Sequence, residues 1–183
     1  MTKLSVVLAT KNEEKNIGQC LESVKSIADE IIVADEESTD KTREIAEKYG
    51  AKVYTVKHEP IFHVTKQKAL DYATGDWILQ LDADERITPE LANEIKEVIS
   101  LSKEKLATRK LETLKQNKLF SRHQKLVEQR DGPIVRTTGV IAAFFVPRVN
   151  FFLGKPLLHA GVFPDPAIRL VRIGKAHFPA KSV

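Results

Sequence analysis

Residues 77–85 read Trp-Ile-Leu-Gln-Leu-Asp-Ala-Asp-Glu, a short and mostly apolar run that ends in carboxylates. A run of this length and composition is typical of a strand that is buried inside a parallel sheet. Strand alternation would place Asp82 and Asp84 on the same side of its end. Carboxylates at this spacing suit Mg²⁺ or Mn²⁺, which usually also takes oxygens from the phosphates of a substrate. An Asp-x-Asp pair by itself is a weak signal, because turns are rich in Asp.

Strand-like and helix-like stretches alternate along the first hundred residues. The strand-like runs are short and apolar, and the stretches between them have apolar residues at helical spacing. We predict strands at Leu4–Ala9, Glu30–Ala34, Lys52–Val56 and Trp77–Leu81. We predict one helix capped by Asn12, one capped by Ser38 or Thr39 and stopped by Gly50, one over Thr65–Ala73, and one from Thr88 to about Ser100.

This alternation predicts the α/β class, with a mainly parallel sheet flanked by helices. Ligands of such sheets bind at the carboxyl ends of the strands. Three polar clusters, at residues 10–14, 35–40 and 82–85, lie at the carboxyl ends of predicted strands. The sequence therefore predicts a ligand site that several loops build at this edge of the sheet.

Charge is distributed unevenly along the 183 residues, whose net charge is +4. Residues 1–100 contain 13 Lys and Arg against 20 Asp and Glu, and residues 101–183 contain 16 against 5. An acidic half suits a divalent cation, and a basic half suits phosphate, acidic lipid or nucleic acid. Ordinary solvated surface charge is the alternative for most of the lysines. Because the basic half lacks interleaved aromatic residues, we expect no nucleic-acid partner.

Composition excludes several classes of protein. With 42% apolar and 30% charged residues, the chain matches a globular domain and neither a fibrous nor a disordered one. The single cysteine, Cys20, cannot form an internal disulfide. The longest apolar stretch, Val140–Val146, is far below the ~20 residues that span a bilayer, so we expect no integral membrane protein.

Residues after position 100 have a different pattern. The stretch Lys103–Arg130 is lysine-rich and prone to form a helix with an imperfect apolar stripe. It can connect elements, bind a partner helix or lie on a membrane surface, and we favour a helix that packs on the domain and faces solvent. We further expect strands around Val140–Val146 and Ile168–Arg172, and a turn at Phe151–Pro156.

Several ordered blocks of the sequence resemble family-2 glycosyltransferases. Residues 5–14 read Ser-Val-Val-Leu-Ala-Thr-Lys-Asn-Glu-Glu, like the opening strand and loop of that family. Residues 32–42 read Ile-Val-Ala-Asp-Glu-Glu-Ser-Thr-Asp-Lys-Thr, similar to its Asp-Asp-Gly-Ser-Thr-Asp-x-Thr segment. Residues 66–70 and 74–85 look like its third block. The later stretch 147–170 resembles the bacterial lipopolysaccharide-core glycosyltransferase branch.

The resemblance implies a GT-A-like fold with a Rossmann-like nucleotide-sugar-binding half in residues 1–100. Residues 101–183 would hold a basic helix and part of a smaller acceptor-side region, because the family usually continues past the point reached at Val183. The implied cofactor is Mg²⁺ or Mn²⁺, and the implied partners are a nucleotide-sugar donor and a saccharide or lipid-linked acceptor.

The resemblance also implies roles for individual positions. These are Ala9, Lys11 and Glu13 at the base and ribose, Asp35 at the base, Lys68 near the sugar diphosphate, Asp82 at the ribose or the metal, and Asp84 as metal ligand. Three positions in two loops depart from the family pattern. Lys11 stands where an aromatic residue is common, and Glu36-Glu37 replaces Asp-Gly.

Glycosyl transfer needs stabilisation of the negative charge that develops on the departing nucleoside diphosphate, which a divalent cation can supply. The acceptor hydroxyl also needs a base, usually Asp or Glu. Asp165 is the candidate, since it is one of five acidic residues after position 100. A turn residue within Pro-Asp-Pro is an equally good interpretation of Asp165. His159 lies in the later resembling stretch and is expected to face the acceptor.

Together these features predict a metal-dependent glycosyltransferase with a cell-envelope saccharide or lipid-linked acceptor, and the resemblance implies that it inverts. We expect it in the cytoplasm, with peripheral contact to the inner face of the cell membrane. One alternative is a sugar-phosphate nucleotidyltransferase, against which the lack of glycine in residues 9–14 weighs. Another is a nucleotide-sugar-binding module without turnover.

Overall fold

The computed structural model of the chain describes residues 1–108, 121, 125, 128–129, 140–159, 163 and 165–180. The chain divides into two compact units. Unit 1 consists of Met1–Leu101 and Arg169–Val183, and unit 2 consists of Ser102–Ile168.

Unit 1 alternates strands with helices, as the sequence predicts. Its strands are β1 (Leu4–Thr10), β2 (Glu30–Asp35), β3 (Lys52–Thr55) and β4 (Trp77–Leu81). Its helices are α1 (Ile17–Val24), α2 (Thr42–Lys48), α3 (Phe62–Asp71) and α4 (Pro89–Ser100). Within the described residues, unit 2 contains α5 (Lys103–Thr108), β5 (Ala143–Arg148), β6 (Phe151–Phe152) and β7 (Lys155–Pro156), and β8 (Asp165–Arg172) begins in unit 2 and ends in unit 1.

The sheet of unit 1 has the strand order β3-β2-β1-β4-β8. Strands β1 to β4 are parallel, and β8 runs antiparallel to β4. Thr10 lies opposite Asp35, and Leu8 lies opposite Leu81. The carboxyl ends of β1, β2 and β4 therefore meet at one edge, which confirms the predicted α/β class and its mainly parallel sheet.

The central strands form the core of unit 1. Every residue of β1 and β4 is buried, as expected for parallel strands that are covered on both faces. Helix α1 packs an apolar face formed by Ile17, Cys20, Leu21 and Val24, all fully buried. This spacing of three and four residues is the one that a helix needs to cover a sheet.

Two helices of unit 1 are not capped by the residues that the sequence predicts. Asn12 has a positive φ of 56° and lies four residues before Asn16, the residue that precedes α1. Asn tolerates this left-handed conformation better than most residues, so it serves in the loop and not as a helix cap. Ser38 and Thr39 likewise lie before α2, which Lys41 precedes. Thr88 does cap α4, because its side chain accepts a hydrogen bond from Leu91 N.

Other boundaries also shift. Helix α3 begins at Phe62, three residues before the predicted start, and β8 begins at Asp165, three residues before the predicted Ile168. The predicted turn at Phe151–Pro156 forms the hairpin of β6 and β7. Most of the predicted helix Lys103–Arg130 after α5 lies outside the described residues. In the part of the chain that the structure describes, no helix has both the length and the apolar character needed to cross a bilayer.

Gly75 offers a test of the packing at the start of β4. A Cβ atom at this position would lie 2.9 Å from Lys3 O and 2.7 Å from Ser5 Oγ. We expect Gly75→Ala to lower the free energy of unfolding in urea by about 1–3 kcal/mol, because the backbone of β1 must move. Gly18→Ala is the matched control, since its nearest neighbour would be Ile45 Cγ2 at 3.5 Å, an ordinary contact. An equal loss in both variants would contradict this packing.

Candidate functional site

Two loops at the carboxyl edge of the sheet are tied together by hydrogen bonds. Asn12 N donates to Ser38 Oγ at 2.8 Å, and Asn12 Oδ1 accepts from Thr39 N at 2.9 Å. Glu13 N donates to Thr42 Oγ1 at 2.7 Å. The loop after β1 is thus held by the loop after β2, which presents the polar residues of both loops as one surface.

The buried side chain of Asp35 holds the end of β1 and the loop after β2 by hydrogen bonds. Its side chain is fully buried and accepts hydrogen bonds from Thr10 Oγ1 at 3.0 Å, Ser38 N at 2.9 Å and Ser38 Oγ at 2.6 Å. Arg43 Nε lies 3.7 Å from Asp35 Oδ1. A buried carboxylate needs such partners, because without them its desolvation would be costly. Asp35 therefore fixes the backbone of the β2–α2 loop, and its predicted contact with a base stays a prediction.

The two residues of the departure, Glu36 and Glu37, have different surroundings in the loop after β2. Glu37 has a φ of 53°, a conformation that glycine adopts without strain. Glu36 is buried, where its carboxylate accepts a hydrogen bond from Thr65 Oγ1 and lies 2.6 Å from His58 Nδ1. These contacts link the end of β2 to α3.

The predicted base and ribose positions lie around the end of β1. Ala9 is buried opposite Ala34 in β2, and Lys11 is exposed directly after the strand. Glu13 is partly exposed, and its Oε2 accepts a hydrogen bond from Asn16 Nδ2 at 2.9 Å. The structure thus brings these positions to the predicted edge, and their contacts with a donor stay predictions.

The carboxylate of Asp82 pairs with two basic side chains, those of Lys66 and Arg169. Its Oδ1 lies 2.6 Å from Lys66 Nζ, and its Oδ2 accepts from Arg169 Nη2 at 2.7 Å. Arg169 is almost fully buried and also donates to Gln80 and, at 2.5 Å, to Glu85 Oε1. Both oxygens of Asp82 are therefore engaged by positive charges of the protein.

This network favours the ionised form of Asp82. Burial alone would raise the pKa of Asp82, but the charges of Arg169 and Lys66 outweigh burial and lower it from 3.8 to about 2. Burial opposes the charge of Arg169 as well, yet Asp82 and Glu85 raise the pKa of its guanidinium. Opposite charges within ion-pair distance have this effect on both partners.

The turn after β4 separates the two aspartates. Strand β4 ends at Leu81, so strand alternation does not extend to Asp84. The turn is closed by Glu85 N, which donates to Asp82 O at 3.0 Å, and by Asp82 N, which donates to Glu85 Oε2 at 3.0 Å. Cys20 Sγ lies 3.6 Å from Asp82 O, and burial raises the pKa of this thiol to about 12. Asp82 is thus partly enclosed, whereas Asp84 is exposed.

The carboxylates of the turn after β4 fit a metal ion that takes further ligands from the phosphates of a substrate. Among the described residues, no three metal-ligating side chains lie close enough to hold an ion by themselves. Asp82 already pairs with Lys66 and Arg169, and Asp84 is the exposed carboxylate of the turn. Mg²⁺ is commonly bound through one or two carboxylates together with substrate phosphates and water. Asp84 fits this mode, and the predicted metal contact of Asp82 stays a prediction.

The structure gives the surroundings of three further predicted residues, Lys68, Asp165 and His159. Lys68 Nζ pairs with Glu59 Oε1 at 2.8 Å, whereas Asp82 pairs with Lys66, two residues earlier in α3. Asp165 belongs to unit 2, where its Oδ2 accepts from Arg148 Nη2 at 2.6 Å and from Asn150 Nδ2 at 3.0 Å. His159, also in unit 2, is exposed. The roles of Lys68, Asp165 and His159 stay predictions.

The geometry of unit 1 agrees with the comparison to known families. The sequence profile described as Glycosyl transferase family 2 matches residues 5–133, which include all three polar loops of the edge. The chain belongs to glycosyl transferase family 2. In the structure, the Asp-Ala-Asp turn and the loops after β1 and β2 follow strands that end at the same edge of the sheet, and the roles of their residues stay predictions.

Individual family-2 relatives match over about half of the chain. An uncharacterized glycosyltransferase of Rickettsia felis is 43% identical over 102 residues, which are 55% of this chain and 35% of the relative. The lipopolysaccharide core biosynthesis glycosyltransferase LpsC of Rhizobium meliloti is 32% identical over 105 residues, 55% of this chain and 38% of LpsC. The chain thus spans about a third of the length of the curated relatives it matches.

A solved structure is also similar. It is glucosyl-3-phosphoglycerate synthase of Mycobacterium tuberculosis in complex with Mn²⁺ and uridine-diphosphate-glucose. The match is 31% identical, covers 45% of this chain and 33% of the synthase, and has a TM-score of 0.41.

Sequence reasoning did not identify Lys66 and Arg169 as site residues. Both lie in stretches that resemble the family, but their side chains had no assigned role. One signal was present for Arg169, which stands in the predicted strand Ile168–Arg172. An arginine is rarely buried unless it is paired, so an arginine in a core strand indicates an acidic partner.

Arg169 should stabilise unit 1 more than a surface ion pair does. We expect Arg169→Met to lower the free energy of unfolding by about 1–3 kcal/mol, because Asp82, Glu85 and Gln80 lose a buried donor. Lys48→Met is the control: Lys48 pairs with Glu44 at 2.7 Å, the Arg169–Asp82 distance, but both side chains are more than half exposed. The control should lose at most about 0.5 kcal/mol. Similar small losses in both variants would show that the Arg169 pair is as well solvated as the surface pair.

The pKa of Asp82 predicts how stability depends on pH. A lowered pKa in the folded state contributes stability above the ordinary value of 3.8 and loses it as pH falls towards about 2. Asp82→Asn removes this contribution. We therefore expect the difference in unfolding free energy between wild type and Asp82→Asn to shrink over that pH range in urea titrations. A difference that stays constant would contradict the lowered pKa.

Proposed function

We propose that this chain carries the donor-binding part of a metal-dependent, inverting glycosyltransferase. Its donor is a nucleotide-sugar, and its acceptor is a cell-envelope saccharide or a lipid-linked acceptor. One observation carries the proposal. In the turn after β4, Asp82 is paired with the side chains of Lys66 and Arg169, and Asp84 is exposed at the edge where β1 and β2 also end.

The register of the sheet supports a common site for these loops. Asp82 follows Leu81, the partner of Leu8, and Thr10 is the partner of Asp35. The ends of three neighbouring parallel strands are therefore within a few residues of the same level. In open α/β sheets the crevice outside these ends is where ligands bind.

The roles of the side chains follow from their charges. Mg²⁺ or Mn²⁺, when bound, stabilises the negative charge of the departing nucleoside diphosphate. Asp84 would hold this ion through its exposed carboxylate. Asp82 orients the turn, since Arg169 and Lys66 fix its two oxygens. The bonds between the loops after β1 and β2 keep Lys11 and Glu13 in place for the base and ribose.

The acceptor is inferred from relatives and from residues of unit 2. LpsC, which matches over 55% of this chain, is named for lipopolysaccharide core biosynthesis. Single displacement with inversion needs a base for the acceptor hydroxyl. Asp165 is our candidate, and its carboxylate is kept in one orientation by Arg148 and Asn150. His159 is the proposed acceptor contact.

Loss of Asp84 should abolish metal-dependent donor binding. We expect Mn²⁺ together with a nucleoside diphosphate to raise the melting temperature of the wild type, because a ligand that binds the folded state stabilises it. In Asp84→Asn the shift that depends on Mn²⁺ should disappear, which for a lost charged ligand corresponds to at least about a tenfold weaker binding. A panel of nucleoside diphosphates and nucleotide-sugars identifies the base in the same measurement.

The matched control is Asp71→Asn. Asp71 is an exposed aspartate at the end of α3 whose Oδ1 accepts from Gln67 Nε2. This variant should keep the full shift. An Asp84→Asn protein that still shows the Mn²⁺-dependent shift would refute the proposal. Release of pyrophosphate from a nucleoside triphosphate would instead identify a nucleotidyltransferase.

A further inference from the structure

The hairpin of β6 and β7 in unit 2 exposes an unusual amount of apolar surface. Leu153 is 86% exposed, Phe151 67% and Phe152 65%. Apart from Met1, these are the most exposed large apolar side chains among the described residues. They are consecutive, so they form one continuous apolar tip, which we call the Phe151–Leu153 tip. Contiguous exposed apolar surface of this kind marks interaction sites.

The hairpin is a well-formed element and not a loose loop. Phe151 lies opposite Pro156, Phe152 lies opposite Lys155, and Leu157 N donates to Asn150 O at 2.8 Å. Leu153 and Gly154 have φ angles of 48° and 74°, as in the two-residue turn that matches the twist of a hairpin. Leucine is uncommon at positive φ, because its Cβ crowds the backbone there. The turn thus presents a large apolar residue at its apex, where a small polar residue is the usual choice.

The exposure of apolar side chains on both faces of the hairpin limits the kind of partner that can cover them. Side chains alternate along a strand, so Phe151 and Phe152 point to opposite faces. Both side chains are about two-thirds exposed, so each face of the hairpin presents apolar surface. A protein groove or a second copy of the chain that binds one face of the hairpin would leave the other apolar face in water. A lipid surface surrounds an inserted tip on all sides and takes both faces and the apex together.

Charge next to the tip fits an anionic lipid. Residues 149–159 contain one basic residue, Lys155, and no Asp or Glu, whereas Arg148 is paired with Asp165. Lys155 is exposed and lies directly after the turn, opposite Phe152. A cation in this position reaches the headgroup level when the apolar apex enters the acyl boundary.

We propose that the Phe151–Leu153 tip inserts into the headgroup–acyl boundary of an anionic lipid bilayer, with Lys155 at the headgroups. This inference goes beyond the proposed function and does not rest on donor binding. Insertion to interfacial depth buries the three apolar side chains, and the backbone groups of the hairpin stem keep their mutual hydrogen bonds. The tip would then be the point at which unit 2 attaches reversibly to a membrane surface.

Vesicle binding tests the proposal. We expect the 183-residue chain to co-sediment with vesicles of phosphatidylcholine and phosphatidylglycerol in equal parts, and more weakly with phosphatidylcholine alone. The variant Phe152→Ser/Leu153→Ser should bind at least about tenfold more weakly. Lys155→Gln should lose about fivefold on the anionic vesicles only. Ile173→Ser, at an exposed apolar residue of unit 1 outside the hairpin, is the matched control and should bind like the wild type.

A fluorescent probe locates the contact. In Phe152→Trp the new indole replaces an exposed aromatic side chain, and the single native tryptophan, Trp77, is 1% exposed. On anionic vesicles we expect blue-shifted emission and quenching by brominated lipid, which Trp77 in the wild type should not show. Binding without a shift at position 152 would overturn the proposal, because another segment would then make the contact.

Two further outcomes would also overturn it. One is the absence of vesicle binding by the wild type. The other is self-association in sedimentation equilibrium that the Phe152→Ser/Leu153→Ser variant abolishes, since the tip would then cover a second copy. Unchanged melting temperatures of the variants exclude misfolding, because the substituted side chains are exposed. The Mn²⁺-dependent nucleotide shift measured in the same variants separates a failure of this inference from a failure of the proposed function.

Discussion

The carboxylate of Asp82, held between Lys66 and Arg169, is the interaction on which the site depends. It joins three parts of the chain that are far apart in sequence: α3, the turn after β4, and β8. Because the pair is largely withdrawn from water, breaking it would leave a charge without a partner, which costs far more than an exposed pair is worth. The turn is therefore fixed, and the exposed position of Asp84 follows from it.

A second set of contacts fixes the other side of the same edge. Asp35 is buried beneath the loops after β1 and β2, and Asn12 and Ser38 bond these loops to each other. Both sets use a buried or partly buried aspartate as a structural anchor and leave other polar groups at the surface. In this family-2 chain, rigidity at the edge and availability to a ligand are thus divided between different residues. Asp35 and Asp82 supply the first, and the exposed residues Lys11 and Asp84 are the ones that we propose for the second.

The described residues of unit 2 expose a different kind of surface from that of unit 1. Asp165 is paired with Arg148 and Asn150, and the neighbouring hairpin exposes an apolar tip beside Lys155. Unit 1 exposes charge at the edge of its sheet, whereas unit 2 exposes large apolar side chains at the apex of a two-residue turn. This contrast is what a protein would need if it recognises a nucleotide with one unit and a lipid surface with the other.

Much of the fold and part of the site could be predicted from the sequence, and the particular residues show why. The strands β1, β2, β3 and β4, the Thr88 cap and the placement of three polar loops at one edge depend on local patterns, in which the period of the side chains and the residues at each end decide the outcome. The helix caps assigned to Asn12 and Ser38 were wrong, because both side chains bond the opposite loop, which local sequence cannot anticipate.

The amino-acid sequence by itself determined the parallel strands of unit 1, their shared carboxyl edge and the position of Asp82 and Asp84 at it. Only the tertiary structure decided which basic side chains pair with which carboxylates. Strand β8 runs antiparallel to β4 with Leu170 opposite Leu79, so Arg169 comes to the level of Gln80, beside Asp82. A charge pair between residues 87 positions apart depends on that register, and no local pattern contains it.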